Sequence, residues 1–136
     1  MSVGIAAQRP TQVARVLVTD DHEEWRPLIE ALLSEEGYEV MLADSGERAL
    51  DIAASATPDI VVLGLSRWEV NCIRVAEQMR QLRGCETIPI ILITAAEALG
   101  DCLQSSAPAF NGHISRGDVM SSLAECLKVH LQASGS

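Results

Sequence analysis

Aromatic side chains are nearly missing from this chain: two Trp, one Tyr and one Phe make up 3% of its 136 residues. Basic residues are scarce too, ten Lys and Arg against nineteen Asp and Glu, and they form no run. Few stacking rings and no basic run argue against binding single-stranded nucleic acid. The formal charge of −9 repels phosphate backbones and anionic lipid, so neither nucleic acid nor a membrane surface is expected as a partner. No apolar stretch is long enough to span a bilayer, and the N-terminus has no charged segment leading into an apolar one. A cytoplasmic location is therefore expected. Cys72, Cys85, Cys102 and Cys126 show no CxxC spacing. They read as four reduced, mostly buried thiols, with zinc ligation or a redox pair as the alternative. What is present is aliphatic: 48% of the residues are hydrophobic, enough for one domain with a core of Val, Ile, Leu and Ala.

Residues 1–14 mix Gly, Ala, Gln and Pro without a period and read as a flexible leader; residues 133–136 read as a tail, leaving one domain over 15–132. Within it, β and α patterns alternate five times. Strands are predicted at Arg15–Thr19, Tyr38–Ala43, Asp59–Leu65, Ile88–Thr94 and Phe110–Ser115. Helices are predicted from Glu23 to Glu36, with Leu28, Leu32 and Leu33 inward, and from Ser45-Gly46 to Ser55. Three more follow: Asn71–Arg83, a weaker one at Ala95–Ser105 with Gly100 inside it, and a last one capped by Asp118 that carries Leu123, Leu127, Val129 and Leu131. Pro27 is tolerable only in a first turn, so the first helix must start near Glu23 or Glu24.

Five β–α units in this length imply an α/β fold, a doubly wound (βα)5 parallel sheet of five strands in the flavodoxin-like order 2-1-3-4-5. Function in such sheets sits beyond the carboxyl ends of the strands, where the order reverses between strands 1 and 3. The residues placed there are Asp20, Asp21, Gly64, Thr94 and Arg116.

Four segments carry a family resemblance: Val16-Leu17-Val18-Thr19-Asp20-Asp21, Gly37-Tyr38-Glu39-Val40, Pro58-Asp59-Ile60-Val61-Val62-Leu63 and Ile88-Pro89-Ile90-Ile91-Leu92-Ile93-Thr94-Ala95. Together, at these separations, they resemble the receiver domain of bacterial two-component response regulators, the CheY-like fold, over about Arg15 to Leu131. The resemblance implies two metal-binding acids at Asp20 and Asp21, a hydroxyl switch with a small neighbour at Thr94 and Ala95, and an aromatic switch position at His113. It places the phospho-accepting aspartate at Gly64, the phosphate-gripping lysine at Arg116 and the following proline at Gly117. The loop after the acceptor, usually closing with Pro and Gly, reads Ser66-Arg67-Trp68-Glu69-Val70-Asn71-Cys72.

These departures remove chemistry. Phosphoryl transfer here needs a carboxylate nucleophile, and glycine offers none. No cofactor is required by this reading, and Mg2+ at Asp20 and Asp21 is expected to bind weakly because a hard cation loses an anionic ligand. Asp20-Asp21 then reads either as a weak metal site or as an acid pair at a helix N-terminus. Arg116 reads either as a fixed cation neutralising the pair or as a solvent-facing side chain. Its bond to Gly117 is expected trans, since a cis non-proline bond costs about 2.5–4 kcal/mol. Trp68 is expected in a loop, folded over the gap at Gly64 or anchoring a partner. His22 is expected in a solvated loop, His113 at a static edge and His130 on a helix surface.

The expected function is a pseudo-receiver in a phosphorelay, not an enzyme, acting by binding a protein such as a histidine kinase or another regulator. The family uses the face of the fourth helix, fifth strand and last helix for partners and dimers, which makes a homodimer through it an alternative to a different protein partner. Such a chain is either a stand-alone adaptor or one domain of a larger regulator. One rival is a receiver that is phosphorylated on a non-standard acceptor such as Ser66. Another is a flavin or nucleotide binder, disfavoured because Thr19-Asp20-Asp21-His22-Glu23 is acidic where a phosphate cradle is needed. A third is a designed loss of the acceptor, against which Trp68, Arg116 and Gly117 depart from the family pattern as well.

Overall fold

The computed structural model describes residues 13–65, 68–94 and 110–135, with the backbone alone at 68–71 and 133–135. The elements are β1 (Arg15–Asp20), α1 (Trp25–Glu35), β2 (Glu39–Ala43), α2 (Gly46–Ser55), β3 (Ile60–Gly64), α3 (Trp68–Met79), β4 (Ile90–Thr94) and β5 (Gly112–Ser115). A 3-10 turn at Arg116–Asp118 leads into α4 (Val119–Gly135). The expected helix at 95–105, Cys102, Ala95, Ser66 and most of the leader lie outside the described residues.

The strands form one parallel sheet in the order β2-β1-β3-β4-β5, the predicted topology. Every residue of β3 and β4 is buried, which is why both read as unbroken apolar runs rather than alternating ones. Alternation decides instead which face each residue serves. Leu17, Val61, Leu63, Ile90 and Leu92 pack with Ala49 and Ala53 of α2 and Cys72, Val75, Ala76 and Met79 of α3. Val16, Val18, Ile60, Val62, Ile91, Ile93 and Ile114 pack on the other face with Ile29 and Leu33 of α1 and Val119, Leu123 and Leu127 of α4. The sheet is thus the shared wall of two aliphatic cores.

Several boundaries and faces differ from the sequence expectation. The first helix begins at Trp25, one or two residues late, and Pro27 sits in its first turn where no intrahelical N–H is lost. Ile29 rather than Leu28 points inward; Leu28 is 47% exposed, as is Val129 of α4 at 52%. In α1 this is the 3.6-residue period anchored by Ile29 and Leu33, four residues apart. α3 runs from Trp68 to Met79, earlier at both ends than expected. No Pro or Gly follows Ser66 to bar helical backbone at Trp68, so Trp68 opens a helix rather than lying in a loop. α1 stops at Gly37, whose φ of 93° is the left-handed conformation glycine adopts without a Cβ penalty. The Gly37 and Tyr38 amides bond back to Ser34 and Leu33 and close the helix.

Candidate functional site

Parallel pairing of β1 with β3 sets Asp20 level with Gly64 at the carboxyl ends of both strands. Thr94 ends β4 and pairs with Ser115 of β5, one residue before Arg116. The crossover order therefore brings Asp20, Gly64, Thr94 and Arg116 to one end of the sheet. Asp21 follows Asp20 directly.

Asp20 is fully buried, and a buried carboxylate requires donors at both oxygens. Its Oδ1 accepts from the His22 backbone N–H at 2.9 Å and lies 2.7 Å from His22 Nδ1. Its Oδ2 accepts from Arg116 Nη1 at 2.5 Å. A carboxylate only accepts, so the shared His22 proton sits on Nδ1 and points to Oδ1. Arg116 Nη2, 3.1 Å from that same nitrogen, directs its hydrogen to the Gly64 carbonyl at 2.9 Å instead. The guanidinium carbon stands 5.0 Å from the centroid of the Trp25 ring, within cation–π range. Arg26 Nη1 donates to the Asp20 main-chain carbonyl at 2.9 Å. Removing one partner from a buried pair of this kind costs about 3–5 kcal/mol, because the other charge is left uncompensated.

Asp21 is partly exposed and lies 3.3 Å from His22 Nδ1. It lines a cavity of about 540 Å³ with Asp44, Ser45, Glu47, Leu65 and Arg74, among others. Arg116 thus meets Asp20, and His22 stands between the two acids. The Arg116–Gly117 bond is trans, as the cost of a cis bond before glycine predicts, and the segment turns at once into its 3-10 helix.

Sequence reasoning missed three members of this cluster. His22 lies in the loop after β1 with its side chain 36% exposed, but a buried acid two positions earlier recruits both its amide and its ring. Trp25 and Arg26 belong to the first turn of α1, where helical backbone aims them back at the end of β1. Their one sequence signal was proximity to Asp20. His113 is exposed on β5, opposite Leu92. His130 is half-buried rather than on the surface. Its Nδ1 lies 2.9 Å from the Cys126 carbonyl oxygen and its Nε2 3.2 Å from that of Asn111. Glycine at 112 admits the ring, since a Cβ there would lie 3.1 Å from it. Among the described cysteines, Cys72 and Cys85 are buried and Cys126 half-buried, all as free thiols. Burial pushes the Cys72 thiol up to about 12.

Asp20, Asp21 and His22 offer donor atoms within 4.8 Å of one another, the spacing of a metal site. The arrangement does not fit a magnesium ion. Magnesium demands near-octahedral oxygen ligands at about 2.0–2.1 Å. Here both Asp20 oxygens are already taken by N–H donors, and a permanent cation stands against one of them.

Residues 16–126 match the family described as the response regulator receiver domain. The chain belongs to that family. Among curated proteins, it is 38% identical over 91 residues to response regulator PleD of Caulobacter vibrioides, covering 67% of this chain and 20% of PleD. It is 36% identical over 87 residues to response regulator MprA of Mycolicibacterium vanbaalenii, covering 64% of this chain and 37% of MprA. The receiver thus spans only a minor part of either relative. Its fold is that of the chemotaxis protein CheY4 of Vibrio cholerae, at a TM-score of 0.78 and 22% identity over 87% of this chain and 98% of that one. The receiver domain of sensor histidine kinase PA1611 from Pseudomonas aeruginosa, solved with a magnesium ion in its active site cleft, has a TM-score of 0.76 at 23% identity, covering 88% of this chain and 98% of that one. Among the described residues, no helix is long and apolar enough to cross a membrane.

Proposed function

We propose that this receiver domain serves two-component signalling as a protein-binding module that takes no phosphoryl group at position 64. The observation carrying this reading is the geometry at Gly64. The residue offers no nucleophile, and a Cβ built on it would lie 2.9 Å from Asp20 Oδ2 and 3.2 Å from Arg116 Nη2. The acid and the arginine have closed over the place where an acceptor side chain would stand. Asp20, Asp21 and Thr94 are then what is left of a phosphoryl-transfer site, with Arg116 standing where the family has a lysine. The domain is a binding module rather than an enzyme. Its partners are a histidine kinase or another regulator, engaged in the cytoplasm through the side of the domain that carries β5 and α4. A second copy of the chain is a further candidate for that surface. With no covalent input, its conformation is set by which partner binds one state better.

Incubation with acetyl phosphate and Mg2+ followed by intact-mass measurement tests the reading. The expected spectrum is that of the untreated chain. Stoichiometric gain of one phosphoryl group overturns the proposal, and mapping the adduct to Ser66 would establish a substitute acceptor.

A further inference from the structure

Gly64 lies in the regular register of β3, opposite Asp20. Its backbone does not demand glycine: among the described glycines only Gly37 and Gly84 have positive φ. What excludes a side chain is space. Three atoms, Asp20 Oδ2, Arg116 Nη2 and Asp20 Cγ, lie 2.9, 3.2 and 3.3 Å from the position of its Cβ. These atoms are not free to yield. The Asp20 carboxylate is fixed by His22 on one oxygen and Arg116 on the other, and the guanidinium is held by Asp20, the Gly64 carbonyl and the Trp25 ring.

The two groups to which Arg116 donates are one carboxylate oxygen and one main-chain carbonyl oxygen. Both are ligand types that a hard divalent cation takes. A guanidinium group is a fixed cation in proteins. Trp25 covers one face of it, and the Arg116 side chain is only 17% exposed.

We infer that Gly64 and Arg116 are an interlocked pair. The guanidinium occupies both the volume of a side chain at position 64 and the cation position at Asp20, so the site carries its own cation and takes no divalent metal. This rests on the reading that position 64 accepts no phosphoryl group, and adds that the metal requirement has been replaced from within the chain. The end of β5 is thereby tied to the ends of β1 and β3 without any ion.

Trp25 reports directly on this site. In a Trp68→Phe background its fluorescence is followed during titration with MgCl2 and MnCl2 against NaCl of matched ionic strength, with calorimetry in parallel. The parent protein is expected to show no saturable response through the millimolar range in which weak oxygen sites fill. Arg116→Ala is expected to gain a saturable response, with metal affinity raised by at least an order of magnitude. Arg116→Gln, which keeps the hydrogen bonding but not the charge, is expected to gain one too, and serves if the alanine variant does not fold. Saturable metal binding by the parent protein at low millimolar concentration overturns the inference. So does a folded Arg116→Gln variant that stays unresponsive. Metal binding without a phosphoryl adduct refutes the resident cation alone; an adduct in a metal-indifferent protein refutes the proposed function alone.

Discussion

Gly64→Ala is the smallest perturbation that separates a spatial requirement for glycine from a neutral loss of the acceptor. The added methyl group meets the pinned carboxylate of Asp20 at 2.9 Å and the guanidinium of Arg116 at 3.2 Å. Relief requires either stretching the 2.5 Å bond between these groups or moving Asp20 off its His22 donors. Overpacking a fitted site costs about 1–3 kcal/mol, and replacing glycine at a compatible backbone position returns about 0.4–1 kcal/mol, so a net loss of about 1–2 kcal/mol is expected. For a domain of this size that lowers the thermal midpoint by about 3–6 °C. Urea and thermal unfolding of the variant and its parent measure it. The same substitution in an Arg116→Ala background removes one of the two colliding groups, and the cycle is expected to show a coupling of at least about 0.5 kcal/mol. A Gly64→Ala midpoint equal to or above that of the parent protein would refute the reasoning, since the backbone gain alone would then account for the result.

Two further perturbations test features away from Gly64. Ser45 caps α2, its Oγ accepting the Arg48 amide at 3.1 Å, so Ser45→Ala is expected to lose about 1 kcal/mol while Ser45→Asp keeps most of it; equal unfolding midpoints for all three would refute the cap. Burial raises the Cys72 thiol from 9.0 to about 12, and raises Cys85, Cys126 and Tyr38 as well. A raised folded-state value means that the folded protein holds its protons while the unfolded chain releases them above about pH 9. The contribution of these groups to stability is therefore constant below that point and falls as pH climbs toward about 12. Urea midpoints measured from about pH 8 to about pH 11 check this, and a flat profile would contradict it.

Sequence reasoning reached the sheet order because the information is local. Unbroken runs such as Ile60–Leu63 and Ile90–Ile93, short and rich in β-branched residues, read as strands covered on both faces, and chirality leaves few ways to connect five of them. Helix ends were less legible. The start of α3 near Trp68 is marked by no glycine or proline but by Ser66-Arg67-Trp68-Glu69, a serine followed three residues later by a glutamate, a helix-start pattern that sequence reasoning passed over. Inward faces failed where one residue of rotation mattered, as at Leu28 and Ile29. In the site, Asp20, Gly64, Thr94 and Arg116 were placed by topology, whereas the roles of His22, Trp25 and Arg26 depend on which way side chains turn around one buried carboxylate.

By itself, then, the sequence determined the alternation of strands and helices, the order of the sheet, and the glycine where the family has an acceptor. Periodicity and chain connectivity carry those features from residue to residue. Only the tertiary structure decided what fills the space at Gly64. Arg116 lies 96 residues from Asp20 in the chain, and no local pattern states that its guanidinium reaches the carboxylate. That contact exists because burying Asp20 leaves an oxygen that must find a donor, and the parallel sheet delivers the end of β5 to it.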